Sequence, residues 1–249
     1  MPDKKIRAVL FDFGETVVNF GRVRALGLFW KGSRQVHDYL VEHNQYSGKL
    51  FFFCLHNLLV LHKNLFKSML TGSDFDAMKV MKSAASKKGV KMSEEQWQEM
   101  IWLLYEPLSK YGSTEPDLKE TLIKLRSMGL KLGIVSNTFV SSVCLDKHMQ
   151  QIGVYNLFDD ILYSYECDCR KPDPRIFLHA ADRIGVRMPN IMFVGDRLDN
   201  DVKPALFLGM YAVFKKTYNN KSKKAPKGAY RIKRLRELPA LIEKIESEN

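Results

Sequence analysis

Four apolar residues, Ala8 to Phe11, run without interruption and stop on Asp12. A short unbroken apolar run predicts a strand buried on both faces. The acid that closes it is costly to bury, so it marks a sheet edge where a carboxylate is kept for use. From Pro116 onward the pattern alternates. "DLKETLIKLRSMG" sets Leu118, Leu122 and Leu125 on one helical face, with Pro116 near its start and Gly129 as its stop. "LKLGIVS" predicts a strand, Val140 to Ile152 a helix, and "DILYS" a strand. "DPRIFLHAADRIG" is a helix closed by Gly185, "IMFVG" a strand, "DVKPALFLG" a short helix, "YAVFK" a strand, and Glu237 to Glu246 a last amphipathic helix. Strands alternating with helices predict an α/β fold, a Rossmann-like parallel sheet covered by helices on both faces.

The first strand is separated from this alternation by about a hundred residues whose apolar spacing is helical throughout. "SGKLFFFCLHNLLVLHKNLFKSML" and "SEEQWQEMIWLLYEPL" carry that spacing, and Ser93 with Glu95 and Gln96 makes a helix start. The expected organisation is a core of residues 1–17 and 113–249 and a helical domain of residues 18–112 inserted after the first strand. Within the insertion, Leu50 to Leu61 is too short to span a bilayer and predicts a buried helix. His37, His43, His56 and His62 do not have the spacing of a metal site.

At 249 residues, with 45% hydrophobic and 27% charged residues, the chain has the composition of a soluble globular protein. The apolar run of "MPDKKIRAVLF" is too short for a signal peptide, and the four cysteines form no CxxC pair, so a cytoplasmic location is expected. The net charge of +11 is concentrated between Lys215 and Arg236, a segment with no acidic residue. Charge alone is a weak nucleic-acid signal. With Asn219, Asn220, Pro226 and Gly228 in it, the segment reads as a solvated loop, and neither a nucleic acid nor a membrane is an expected partner.

Ligands of doubly wound sheets bind at the carboxyl ends of the strands. Asp12, then Ser136 and Asn137, then Lys171 in "CRKPDP", then Asp196, Asp199 and Asp201 in "VGDRLDNDV" all fall there. A nucleophilic carboxylate, a hydroxyl, an ammonium and an acidic cluster able to hold a divalent cation suit phosphoryl transfer. "DRLDND" lacks the glycine and terminal glutamate of a calcium loop, and Asp199 is expected to face solvent.

These stretches resemble the four motifs of the haloacid dehalogenase superfamily of aspartate-nucleophile hydrolases: "FDFGET", "IVSNT", "RKPDPRIF" and "VGDRLDND", in that order and each after an expected strand. The resemblance covers Ile6 to Thr16 and most of Glu115 to Leu241, and the insertion resembles the helical cap of the capped, phosphatase-type subgroup. It implies Asp12 as the nucleophile that becomes an aspartyl-phosphate and Ser136 as the phosphate-binding hydroxyl. Asn137 would be its substrate-side neighbour, and Lys171 would balance charge between Asp12 and phosphate. Mg2+ would be held by Asp12, the Gly14 backbone carbonyl and Asp196, with Asp201 as ligand or outer support. The implied reaction is magnesium-dependent hydrolysis of a small phosphate ester, and the implied partner is a small phosphorylated metabolite.

One position departs from that pattern. Gly14 stands where phosphatases of the family carry the aspartate that protonates the leaving alkoxide. Such a group contributes about 10²–10⁴-fold in rate. Glu15, where glycine is usual, is the neighbouring acid, and a side chain at 14 would be costly if the loop needed backbone angles open only to glycine. Two alternatives stay open: a dehalogenase or phosphonate C–C hydrolase, or a binding or regulatory protein that keeps the fold with weakened catalysis. Cys167 and Cys169, just before Lys171, read as occupants of a loop that could meet a soft metal or an oxidant.

Overall fold

The computed structural model describes residues 5–86 and 89–248. Residues 1–4, 87–88 and 249, which the expected domain ranges include, lie outside the described residues. The chain divides into two compact units. The first holds residues 5–21, 113–137 and 150–248, and the second holds residues 22–112 together with 138–149.

In the first unit, β1 (Ala8–Phe11), β2 (Lys131–Ser136), β3 (Asp160–Tyr163), β4 (Ile191–Gly195), β5 (Tyr211–Lys215) and β6 (Tyr230–Ile232) form one parallel sheet. The order is β3-β2-β1-β4-β5-β6. Strand order therefore reverses between β1 and β4, the topological switch point at which such sheets bind ligands. The two strands run in register from Ala8 opposite Ile191 to Phe11 opposite Val194, so Asp12 and Asp196 leave the same sheet edge side by side.

Side chains of β1 alternate between faces. Ala8 and Leu10 join Val135, Phe193 and Phe214 in a buried cluster with Ile176, Phe177 and Ala180 of the helix Pro174–Ile184. The helices Leu118–Ser127 and Leu238–Ser247 pack on one another and cover the other face, burying Leu122, Leu125, Ile242 and Ile245. The elements expected from Pro116 onward are all present.

The second unit is helical. It comprises α1 (Ala25–Glu42), α2 (Leu50–Thr71), α3 (Ala77–Ser86), α4 (Glu94–Tyr111) and most of the helix Ser142–Gln151. Ser93 and Gln96 form the capping box read from the sequence. Residues 138–149 lie beyond the expected boundary at 112 yet belong here, tied in by Ala77 N donating to Phe139 O at 2.9 Å and by the stacked rings of Phe75 and Phe139.

The expectation of a buried helix over Leu50–Leu61 is corrected. Cys54 and Ser68 are the buried residues of α2, whereas Phe52 is 63% and Phe66 65% exposed. α2 is apolar around its circumference, so packing on one side, against α1, leaves apolar side chains on the other. No helix of the described residues is long and apolar enough to cross a membrane.

Candidate active site

The sequence Phe11-Asp12 ends β1 with Asp12 N donating to Val194 O of β4 at 2.9 Å, which fixes the backbone at the switch point. The chain then turns tightly, with Val17 N and Val18 N both donating to Phe13 O. Inside that turn Thr16 is fully buried, and its hydroxyl donates to Asp12 Oδ2 at 3.3 Å. The other oxygen, Oδ1, accepts from Lys171 Nζ at 2.6 Å. Lys171 Nζ also lies 2.8 Å from Asp201 Oδ1, so one ammonium bridges two carboxylates, one just after β1 and one in the segment that follows β4.

Lys171 is 2% exposed, and an isolated ammonium could not be held there. Burial pulls its pKa down, but Asp12 and Asp201 outweigh that and hold it above the ordinary lysine value. Its backbone is clamped by Asn137: the amide Nδ2 donates to Lys171 O at 2.7 Å and Oδ1 accepts from Lys171 N at 2.8 Å. Asn137 thus positions the lysine segment. Ser136, next to it, is buried at the end of β2.

The "VGDRLDND" segment leaves β4 and makes a π-helical turn, Leu198–Val202. That turn brings Asp201 back to the sheet edge, where Oδ2 accepts from Arg197 N at 2.9 Å. A Cβ on Gly195 would lie 2.4 Å from Asp201 Cβ, so the glycine before Asp196 makes the space that Asp201 fills. Asp199 is exposed and pairs with Lys203 at 2.6 Å, as its solvent-facing reading requires.

Carboxylate oxygens of Asp12, Asp196 and Asp201 all lie within 4.8 Å of one another. Burial pushes the Asp12 carboxyl up to about 6, with Asp201 adding to the rise and Lys171 opposing it. Burial likewise pushes Asp196 up to about 7, reinforced by Asp12, Asp201 and Glu15. Three clustered acids with one ammonium carry an excess of negative charge, and their hard oxygen donors fit a divalent cation such as Mg2+.

Glu15 turns to a structural task. Its Oε1 accepts from Phe20 N and from Gly21 N, both at 2.9 Å, which closes the loop after β1. Cys167 and Cys169 are free thiols with their sulfurs 3.2 Å apart. Burial pushes the Cys169 thiol up to about 12, away from a reactive thiolate.

Three supporting features escaped the reading of the sequence. Thr16 carried no signal beyond its closeness to Asp12. Lys215, read as part of the solvated basic run, is instead 2% exposed and pairs with Glu115 at 3.1 Å. It donates to Thr16 O at 2.9 Å, so it braces the same turn from β5. A signal existed, since Lys215 closes "YAVFK" as Asp12 closes its own strand. Asn220 donates to Asp196 O at 2.8 Å and to Lys215 O at 2.9 Å. The solvated-loop reading of the run is therefore corrected in part: Lys221, Lys223, Lys224, Lys227, Arg231, Lys233 and Arg236 are exposed, but Tyr230–Ile232 form β6, paired with β5, and Lys216 is half-buried on the carbonyls of Asn220, Lys221 and Lys223.

A parallel sheet thus carries an acid just beyond each strand that flanks its switch point, Asp12 and Asp196, and a buried lysine joins Asp12 to Asp201 from the following turn. The family model of the haloacid dehalogenase-like hydrolases matches residues 6–209, and the chain belongs to that family. A glyceraldehyde 3-phosphate phosphatase of Methanopyrus kandleri is 39% identical over 103 residues, 41% of this chain and 43% of that relative, so the match spans less than half of the relative's length. An N-acylneuraminate-9-phosphatase of Rattus norvegicus is 25% identical over 97% of this chain and 96% of its own. Among solved structures, a phosphatase of the same family from Thermococcus onnurineus superposes with a TM-score of 0.59 at 26% identity, over 95% of this chain and 98% of its own. A 2-haloacid dehalogenase from Pseudomonas syringae superposes with a TM-score of 0.64 at 20% identity, over 96% of this chain and 99% of its own, and shares the fold.

Proposed function

We propose that the protein is a magnesium-dependent phosphatase of small phosphate esters that works through an aspartyl-phosphate on Asp12. The observation that carries this reading is the meeting of Asp12, Asp196 and Asp201 within 4.8 Å around Lys171. The names of the relatives above, two of them phosphatases of small phosphorylated compounds, favour a phosphate ester over a halide.

An Asp12 carboxylate oxygen attacks phosphorus, the phosphorus–oxygen bond to the leaving group breaks, and the alkoxide departs with the electron pair and takes its proton from solvent. Water then attacks phosphorus of the acyl-phosphate, the bond from phosphorus to the Asp12 oxygen breaks, and inorganic phosphate and a proton are released as the carboxylate is regenerated. Thr16 orients the attacking carboxylate, and Lys171 shields it from the charge of the incoming phosphate. Asn137 keeps Lys171 in place, and Ser136 offers a hydroxyl to a phosphate oxygen. Asp12, Asp196, the Gly14 carbonyl and, directly or as outer support, Asp201 would hold Mg2+, which when bound neutralises charge on the transferring phosphoryl group. The helical unit serves as the cap that selects the alcohol, and the metabolite is small and phosphorylated.

The test uses an aryl phosphate with the intact protein. Magnesium-dependent release of the phenol is expected, lost on chelation and reduced to background by Asp12→Asn in a folded preparation. Turnover that survives both treatments would end the covalent, metal-assisted reading.

A further inference from the structure

The helical unit contains a cavity of about 240 Å³ that the site described above does not use. Helices α1 to α4 and the stretch before Ser142 contribute its wall, with Phe29, Leu61, Val80, Leu108 and Phe139 as apolar examples. No charged side chain lines it among the described residues. Two of its polar groups are already engaged: Tyr105 Oη shares a hydrogen bond of 3.0 Å with His148 Nδ1, and the Cys144 thiol donates to Ile101 O at 3.4 Å. Asn57 and Ser141 add one amide and one hydroxyl. A charged or polyhydroxylated group placed here would leave water with few partners in exchange. An uncharged hydrocarbon group would lose nothing, and a dry apolar cavity of about 150 Å³ already suffices to bind benzene.

We infer that this cavity is a binding site for an uncharged hydrocarbon group, a ring or an alkyl chain of about six carbons. Such a group could arrive as a free molecule or as the alcohol part of a phosphate ester. The second source is worth testing because Phe139, in the cavity wall, follows Asn137 by two residues.

Two arms decide. In the first, hexan-1-ol is titrated into the protein and followed by ligand-observed NMR and by the melting temperature, with glycerol as the polar control. This arm needs no turnover, so it stands whether or not the phosphatase reading does. Saturable binding of hexanol that is weakened at least tenfold by Val80→Trp, and altered by the cavity-enlarging Val80→Ala, supports the site. In the second arm, kcat/KM is measured for propyl, butyl, pentyl and hexyl phosphates and for glycerol 1-phosphate. A rise of about fourfold per methylene, removed by Val80→Trp, identifies the ester as the source. Glycerol is the more acidic alcohol, so leaving-group acidity works against that order. Hexanol binding with no chain-length dependence identifies a free apolar ligand. Absence of hexanol binding, with an alkyl series that is flat or not turned over at all, in a protein whose melting is cooperative, overturns the inference.

Discussion

The left-handed backbone angle of the loop after β1 falls on Glu15, at φ 62°, and not on its neighbour Gly14. Glycine at 14 is therefore not required by backbone geometry, and a Cβ built there meets no atom within 4 Å. Gly14→Asp should fold with a melting temperature within a few degrees of the parent. It should also supply the missing acid, raising kcat/KM for alkyl phosphates by up to about 10²-fold while aryl phosphates gain little. The measurement is kcat/KM against leaving-group acidity for both proteins. A parent series that is already flat would show that a proton reaches the leaving group by another route.

Glu15 is not expected to be that route, because its carboxylate is spent on Phe20 N and Gly21 N. Glu15→Ala should lower stability by about 1–3 kcal/mol through those two charge-assisted bonds. Its leaving-group dependence should match the parent's. Urea denaturation reads the first effect and the ester series the second. A steeper ester dependence in Glu15→Ala would return Glu15 to the chemistry.

Gly195 and Asp201 form a tighter pair, with no room for a side chain at 195. Gly195→Ala must push Asp201 away from Lys171, although it changes no charge. Activity should fall, and half-maximal activity should need more magnesium, by about tenfold or more if an acid of the cluster is displaced. Magnesium titration of the rate checks this. Unchanged magnesium dependence would show that Asp201 takes no part in holding the ion.

Strands β1 to β5 could be read from the sequence, and Asp12 and Asp196 with them, because each closes an apolar run; Lys171 and Asp201 stand in polar stretches and were legible only through the resemblance of their motifs, while the three residues of β6 were lost in the basic run. What the pattern could not convey was partnership at long range. Lys215 looked like one of ten basic residues, and its burial depends on Glu115, a hundred residues away in the chain. The outer face of α2 failed for the opposite reason: apolarity reports the tendency to be buried, not whether a second surface is there to do it. Glu15 was ambiguous because a loop acid serves a backbone or a substrate with the same side chain.

The Lys215–Glu115 pair sets up a thermodynamic test. Lys215→Met leaves Glu115 with its remaining bond to Leu235 N and removes the brace on Thr16 O. A loss of about 3–5 kcal/mol is expected, the usual result of stranding one buried charge. Pairing it with Glu115→Gln should recover part of that loss, so the double variant should be less unstable than the sum of the singles. Denaturant midpoints for the four proteins give the coupling. Strict additivity would mean that the two residues act separately.

His148 makes a prediction about acid stability within the helical unit. It is 2% exposed and hydrogen-bonded to Tyr105, and burial pulls its pKa down to about 4 from the ordinary 6.5. A depressed histidine stays neutral in the folded chain while the unfolded chain takes up a proton. Its contribution is therefore fully present above pH 6.5 and is lost progressively as pH falls toward 4. His148→Gln can keep a hydrogen bond to Tyr105 but cannot take up that proton. The wild type should melt higher at pH 7, and the gap should close as the pH is lowered toward 4.5. Carboxylates titrating over the same range move both proteins alike, so the difference in melting temperature isolates the histidine. A constant gap across that range would mean that His148 takes up its proton in the folded chain as readily as in the unfolded one.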